Sequence, residues 1–257
     1  MPASHGTLTA PMDLIFSDLH ANLHAFRVMM RFARRRGIRR YVSLGDLVGY
    51  GPHPNQVLDR IFKLRPRVLV RGNHDRVCGS GEEMDGFNGP ARQSAEWTHN
   101  RLREDLRRAL QDMPMGPIVV EEAYVASHGS PGDEDTYLLG QAEVAEAFDA
   151  FEGPLCFFGH THLPGCWELD EASHTMQWIQ MEPEVWMSLR PGCRYLANPG
   201  SVGQPRDRDN RTSFMTCDAR HRRIRLHRLE YDHAAEAQAI LAAGLHPSLA
   251  ARLAAGM

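Results

Sequence analysis

Five short apolar runs punctuate the chain, and each stops at a polar loop. Leu14-Ile15-Phe16 runs into Ser17-Asp18-Leu19-His20, Tyr41-Val42-Ser43-Leu44 into Gly45-Asp46, and Val68-Leu69-Val70 into Arg71-Gly72-Asn73-His74-Asp75. Ala123-Tyr124-Val125-Ala126-Ser127 runs into His128-Gly129, and Leu155-Cys156-Phe157-Phe158 into Gly159-His160-Thr161-His162. Apolar runs of this length, cut off by turn residues, predict buried strands that present loops at their C-terminal ends. Between the first three runs the apolar period lengthens to that of a helix. Asn22 caps a segment with Leu23, Phe26, Met30 and Ala33 on one face, ended by Gly37, and Pro54 opens another with Val57, Leu58, Ile61, Phe62 and Leu64 inward. A β-α-β-α-β order implies right-handed crossovers and parallel strands, so the first three tips share one edge.

Beyond Asp75 comes a polar, glycine-rich loop over 79–86 and then one long predicted helix over 91–111, with Trp97, Leu102, Leu106 and Leu110 as its apolar stripe. The segment 76–117 is expected either to lean over the strand tips as a partial cap or to cover the core as an ordinary helix. Strands are predicted over 118–120 and 124–127. From Gly165 onward the pattern turns all-β, with strands over 166–169, 175–180, 194–197, 212–216 and 222–229. A run of strands after a β-α-β half suggests a second sheet packed face to face on the first, with helices outside. The tail alternates Ala and Leu at helical spacing and is broken at Gly244 and Pro247. It is expected to dock as a helical segment over 231–257 behind a domain spanning 12–230, with a partner-binding helix as the other reading.

Composition narrows the class. The 257 residues carry 24% charged and 42% hydrophobic side chains and a formal net charge of -3, ordinary for a globular chain. No apolar run approaches the ~20 residues of a membrane span, so no membrane partner is expected. Residues 1–11 lack a basic stretch followed by an apolar one and read as a short leader and not a signal peptide. Arg31, Arg34, Arg35, Arg36, Arg39 and Arg40 crowd one helix-to-strand connection without interleaved aromatic rings. They read as a solvated face, and no nucleic-acid polymer is expected as a partner. The five cysteines, Cys78, Cys156, Cys166, Cys193 and Cys217, show no C-x-x-C spacing and fit free thiols, hence a cytoplasmic location. A homo-oligomer stays open.

The chemistry lies at the strand tips. Asp, His and Asn are ligands for divalent cations, and five converging tips would offer enough of them for two ions. The ordered blocks Asp18-x-His20, Gly45-Asp46-x-x-Gly49, Gly72-Asn73-His74-Asp75, His128-Gly129 and Gly159-His160-Thr161-His162 resemble those of the calcineurin-like metallophosphoesterases. The resemblance extends over 12–218. Two further stretches, 48–55 and 198–207, are similar to the compact prokaryotic branch that includes phosphodiesterases and dinucleoside-polyphosphate hydrolases. It implies an α/β fold, a four-layer αββα sandwich of two mixed sheets flanked by helices.

Carried over, the resemblance assigns Asp18, His20 and His162 to one metal, Asn73, His128 and His160 to the other, and Asp46 to the bridge between them. Manganese comes first among the expected ions, with Fe, Zn, Ni or Co as alternatives. The implied activity is hydrolysis of a phosphodiester, phosphomonoester or phosphoanhydride bond by a metal-bridging hydroxide, in a nucleotide or similar small molecule. Within that class the substrate is open, a phosphoprotein included, and a non-catalytic scaffold of the same fold is the reading from another class. His74 is expected to act as general acid or transition-state donor, with Asp75 orienting its ring. Arg206 and Gln204 are expected near the pocket, where a guanidinium could take a distal phosphate, or else Arg206 is a salt-bridged surface residue. His24 and His53, beside the motif loops, read as structural.

Overall fold

The computed structural model describes residues 12–82 and 84–257; the leader expected over 1–11 lies outside the described residues. The first half follows the predicted order. β1 (Asp13–Phe16), α1 (Leu23–Arg35), β2 (Arg40–Ser43), α2 (Pro54–Leu64) and β3 (Val68–Leu69) alternate, and β2 pairs parallel with both β1 and β3. Asn22 caps α1 by accepting from the Ala25 amide at 3.0 Å, and its own amide group donates to the Gly203 carbonyl at 2.9 Å. One side chain thus starts the helix and ties down a distant loop.

Past β3 the chain departs from the expectation in two places. The stretch after Gly72 is a helix, α3 (Asn73–Ser80), with Gly72 as its N-cap, so Asn73 and His74 sit in a first helical turn and not in an open loop. The single helix expected over 91–111 is two, α4 (Gly89–Arg101) and α5 (Glu104–Gln111). Leu102 between them is extended, and the Asn55 side chain holds both loose ends, donating to the Arg101 carbonyl at 2.8 Å and accepting from the Arg103 amide at 3.0 Å. A remote amide thereby satisfies the backbone groups that a break exposes.

The remaining elements are β4 (Ile118–Val120), β5 (Tyr124–Ala126), α6 (Gln141–Asp149), β6 (Leu155–Phe157), β7 (Gly165–Asp170), β8 (Thr175–Ile179) and β9 (Trp186–Ser188), of which α6 and β9 were not anticipated. β10 (Cys193–Asn198), β11 (Thr212–Asp218), β12 (Arg223–Leu229), α7 (His233–Ala242) and α8 (Pro247–Ala255) complete the chain. Among the described residues they form two six-stranded sheets, ordered β3-β2-β1-β11-β12-β9 and β4-β5-β6-β10-β7-β8. The late strands therefore do not form a sheet of their own. β11 runs antiparallel to β1 and takes β12 and β9 into the first sheet, while β7, β8 and β10 join the middle strands. Local patterning carries no information about this division, because partner choice is non-local.

The two sheets pack face to face with helices outside, an αββα sandwich of mixed sheets. Alternation along β1 shows why. Ile15 points between the sheets with Val42, Phe157, Tyr195 and Met215, whereas Leu14 and Phe16 point out to α1 and α2 among Phe26, Met29 and Leu58. On the far side Cys156 and Leu196 face Phe148 of α6. Strands buried on both faces read as continuous apolar runs, which is how the five runs look in the sequence. The tail helices α7 and α8 and the turn between them cover Tyr50 and Ala91 through Ile240, Leu245, Leu249 and Leu253. All five cysteines are buried and unpaired, and no described helix is long and apolar enough to cross a membrane. The exposed Arg31, Arg34, Arg35, Arg36 and Arg39 form a solvated face of α1 and its exit.

Candidate metal centre

The loops after β1, β2, β5 and β6 and the first turn of α3 meet at one end of the sandwich. Asp46, from the loop after β2, occupies the middle. Its Oδ2 lies 3.7 Å from His20 Nε2 and 3.5 Å from His128 Nε2, and its Oδ1 accepts from the His74 amide at 2.9 Å. Around it two groups of ligand atoms gather, Asp18, His20, Asp46 and His162 in one and Asp46, His128 and His160 in the other, all buried. Asn73 joins the second, its Oδ1 3.1 Å from His128 Nε2. The seven residues singled out as ligands from the sequence thus come together, with Asp46 common to both groups.

Each imidazole is held by a backbone carbonyl. Nδ1 of His20 donates to Val48 at 3.0 Å, Nδ1 of His128 to Leu44 at 2.8 Å, Nδ1 of His162 to Gln204 at 2.6 Å, and Nε2 of His160 to Asp135 at 3.1 Å. These bonds fix the tautomers and leave the other ring nitrogen of each for a ligand. The result is a set of atoms that repel one another. His20 Nε2 and His162 Nε2 stand 3.2 Å apart as two lone pairs, and His162 Nε2 is 3.2 Å from Asp18 Oδ1, itself buried without a hydrogen-bond partner. Nitrogen lone pairs and a carboxylate oxygen gathered out of water need a cation among them. The residues therefore fit divalent ions.

The titration behaviour follows from the same crowding. Burial holds His20, His160 and His162 below the ordinary imidazole range, His160 down to about 3. Burial also works against a charged His128, but Asp46, with which it shares a hydrogen bond, outweighs this and pushes the ring up to about 10. Asp46, despite the burial that opposes its charge, is held well below the usual carboxylate range by His128 and His74.

Forming the site strains the backbone. Asp18, His20, Asp46, His160 and His162 all have positive φ, between 47° and 63°. Non-glycine residues in that region cost roughly 1–3 kcal/mol each and persist where the surroundings over-determine them. Two glycines allow the close approach: a β-carbon on Gly72 would collide with Asp46 Oδ1, and one on Gly49 (φ 85°) with His74 Nδ1.

The other expected residues are placed as follows. His74 is buried beside the two groups and belongs to neither; its ring lies among Tyr50 (4.4 Å between centroids), Phe87 (4.6 Å) and His20 (4.9 Å), and burial pushes it down to about 4. Asp75 does not hold that ring. Its Oδ1 accepts from the Leu47 and Val48 amides at 2.8 and 3.3 Å and its Oδ2 from the Gly72 amide at 3.1 Å, so it fastens the β2 loop to α3. Adjacent helical residues point in different directions, and sequence neighbours need not share a task. Gln204 offers His162 its carbonyl and Arg206 its side chain, Oε1 to Nη2 at 3.3 Å. Arg206 is half-buried, reaches Tyr50 Oη at 3.5 Å and bonds no carboxylate among the described residues.

Three rings beside the site are assigned no role by the sequence motifs, although Tyr50 lies within the 48–55 stretch. Tyr50 packs on His20 and His74, Phe87 covers His74, and Tyr137 stacks on His160 at 3.8 Å. Only Tyr50 had a signal, its place beside Gly49. The stretch 133–135, which supplies the carbonyl for His160, is held to α3 by Arg76 with Asp135 (2.9 Å) and to the segment just before α3 by Arg71 with buried Glu134 (3.0 Å). The 198–207 stretch joins the tips of β1 and β6: Asn198 donates to the Gly159 carbonyl at 2.8 Å, and Ser201 to the Asp18 carbonyl at 2.8 Å.

Two buried groups of candidate ligand atoms sharing one carboxylate lie at the loop end of an αββα sandwich, and their chemistry fits cations. The family model for the calcineurin-like phosphoesterase superfamily domain matches residues 12–222, and the chain belongs to that superfamily. A metallophosphoesterase from Sphaerobacter thermophilus has a solved structure that superposes with a TM-score of 0.85 at 37% identity, over 96% of this chain and 100% of that one. A hypothetical protein from Pyrococcus horikoshii shares the fold, with a TM-score of 0.76 at 18% identity, over 96% of this chain and 98% of that one. An uncharacterized protein of Methanocaldococcus jannaschii is 32% identical over 227 residues, 86% of this chain and 88% of that protein.

Proposed function

We propose that the chain is a metal-dependent hydrolase that cleaves a phosphodiester, phosphomonoester or phosphoanhydride bond in a nucleotide-sized small molecule. The observation that carries this is the paired arrangement around Asp46: two groups of buried ligand atoms, each with its spare ring nitrogens turned inward. Two divalent cations bound there, manganese first among the candidates, would supply a hydroxide nucleophile at neutral pH and neutralise charge on the phosphoryl oxygens. Asp18, His20 and His162 would hold one, Asn73, His128 and His160 the other, and Asp46 both, since an anionic carboxylate can serve two dications at once.

The remaining groups orient and neutralise the substrate. His74, kept neutral by burial, offers one N–H as a hydrogen-bond donor toward a phosphoryl oxygen. Arg206, free of a carboxylate among the described residues and tethered by Gln204 and Tyr50, would take a second phosphate oxygen pair. Phe87, from the stretch that follows α3, and Tyr137 line the approach with apolar faces. In this reading the stretch 76–117 contributes a wall to the site and packs the core through Leu102, Leu106 and Leu110. A scaffold that only bound proteins would gain nothing from burying mutually repelling lone pairs. Free buried thiols agree with a reducing, cytoplasmic setting.

The test is a panel on the purified chain, stripped with chelator and reloaded with Mn²⁺, containing an aryl phosphodiester, an aryl phosphomonoester, a dinucleoside polyphosphate and a phosphopeptide. Metal-dependent turnover of at least one of the three small substrates is expected. A folded, metal-loaded chain inert on all four, or one that acts on the phosphopeptide alone, would overturn the reading.

A further inference from the structure

Away from Asp46 the fold assembles a third group of ligand atoms. His24 in the first turn of α1, His53 at the N-terminus of α2 and Glu236 in the first turn of α7 come from three separate helices, and their ligand atoms lie within 4.8 Å of one another. His24 Nδ1 is 2.5 Å from Glu236 Oε2, and His53 Nε2 is 3.9 Å from the same oxygen. Glu236 is completely buried, yet its second oxygen, Oε1, has no hydrogen-bond partner, and neither has the buried Nε2 of His53. A buried carboxylate with one satisfied oxygen, facing an imidazole nitrogen that nothing else uses, is an incomplete arrangement.

We propose that His24, His53 and Glu236 form a separate zinc site that fastens the C-terminal helix α7 to α1 and to the loop carrying Tyr50. Two imidazoles and one carboxylate are a donor set that Zn²⁺ takes in tetrahedral geometry, with water in the fourth position. Bonds of ~2.0–2.2 Å at tetrahedral angles place ligand atoms roughly 3.3 to 3.5 Å apart, so His53 would close by about half an ångström and His24 draw back by nearly one. Both rings keep an open side, with 28% and 22% of their surfaces exposed, which gives an ion its entry and water its place. His53 is also unspent on its own helix, because as N-cap of α2 it makes no side-chain capping bond. The first turn of α7 favours an ionised Glu236, while burial pushes that carboxyl up; a dication would remove the conflict.

The position gives such an ion a task. Tyr50 lies three residues before His53 and packs on His20 and His74. A narrow cleft lined by His20, Tyr50, Gly51 and Glu236 carries residues of both sites on its walls. Fixing His53 to α7 would hold the 48–53 loop, including the Val48 carbonyl that orients His20.

The test counts metal. Full-length wild type, His53→Gln and Glu236→Gln are saturated with Zn²⁺, desalted, and assayed for zinc per chain by mass spectrometry, with circular dichroism as the check on folding. Each variant is expected to hold one equivalent less than wild type, a difference that does not depend on how many ions sit around Asp46. With Co²⁺ in place of Zn²⁺, the tetrahedral absorption band of wild type should fall by one site's share in both variants. Should Glu236→Gln fail to fold, the partly exposed His53→Gln decides alone. Equal zinc content in wild type and a folded His53→Gln would overturn the proposal and leave His24 and Glu236 as an ion pair.

Discussion

His20 and His162 face each other nitrogen to nitrogen, Nε2 to Nε2 at 3.2 Å, while the Nδ1 of each donates to a backbone carbonyl, Val48 for one and Gln204 for the other. Neither ring can turn to relieve the contact without giving up its bond. The carbonyls are fixed in turn: Val48 through its amide to Asp75, and Gln204 through its amide to Ser201 at 2.7 Å. The loops thus hold two lone pairs where a shared cation would relieve their repulsion, and the carbonyl bonds keep them in place.

His74 is the first place where chemistry and metal binding should separate. As a neutral donor that ligates nothing, its replacement by Ala should leave both ions bound and slow turnover by ~10²- to 10³-fold. The deficit should be equal on aryl and alkyl phosphodiesters. A deficit that shrinks on the aryl substrate would instead mean proton transfer to the leaving group. Gly49→Ala should reproduce the rate loss with metal retained, because the new β-carbon would displace the His74 ring. The two readouts are metal content and kcat on paired substrates.

Arg206 is expected to bind and not to ligate. Arg206→Ala should raise KM by about 10- to 100-fold on substrates with more than one phosphate, in keeping with the ~1.5–3 kcal/mol of a charge-assisted bond, and change little on a monophosphodiester. Arg206→Lys should recover part of that loss, since an ammonium cannot offer the planar pair of donors. An unchanged KM on the polyphosphate would remove Arg206 from the site.

In the second sheet, Glu168 on β7 ties together β8, β10 and the segment before β10. It accepts from Arg190 Nη2 at 2.7 Å, Gln177 at 2.7 Å and Tyr195 Oη at 2.6 Å, and these bonds, Arg190 foremost, hold its carboxyl down to about 2. A depressed folded-state value means stability that is fully present above the unfolded value and lost as pH falls toward 2. Glu168→Gln should therefore lower stability by about 2–3 kcal/mol at pH 7, with the gap to wild type narrowing as pH falls below about 4.5. Urea unfolding at pH 7, 5 and 3.5 checks it; a gap independent of pH would contradict the assignment.

How much of this was legible depended on whether a feature was local. The five strand tips, the Asn22 cap and the Pro54 start are written in a few consecutive residues, so strand, helix and ligand could be read together. The break at Leu102 was hidden because Asn55, which makes it tolerable, lies some forty-seven positions away, although Arg103-Glu104-Asp105 carries an acidic first turn that could have marked a new helix. The strands after Gly165 were visible, but not their division between sheets. α6 shows only Val144, Ala147 and Phe148 on its buried face, too short a stripe to stand out. Adjacency in sequence suggests that Asp75 holds the His74 ring, but in a helix neighbouring side chains diverge, and Asp75 turns toward Leu47 and Val48. The Tyr50, Phe87 and Tyr137 rings, and the meeting of His24 with Glu236, required the fold.

Asp46 carries the central prediction about loading. Asp46→Asn keeps the size of the side chain and its bond to the His74 amide but removes the shared charge, so metal affinity should fall by more than the ~10- to 100-fold typical of an outer partner, and activity with it. The measurement is a titration of Mn²⁺ against stripped wild type and variant, read by turnover and by metal retained. Normal loading in the variant would mean that Asp46 is not the bridge.

The most direct test of the account is a crystal of the full chain grown with Mn²⁺ and measured at the manganese edge. Two anomalous peaks are predicted, on either side of the Asp46 carboxylate, one among Asp18, His20 and His162 and the other among Asn73, His128 and His160, with His74 bound to neither. A single peak, or an ion coordinated by His74 in place of Asn73, would contradict it.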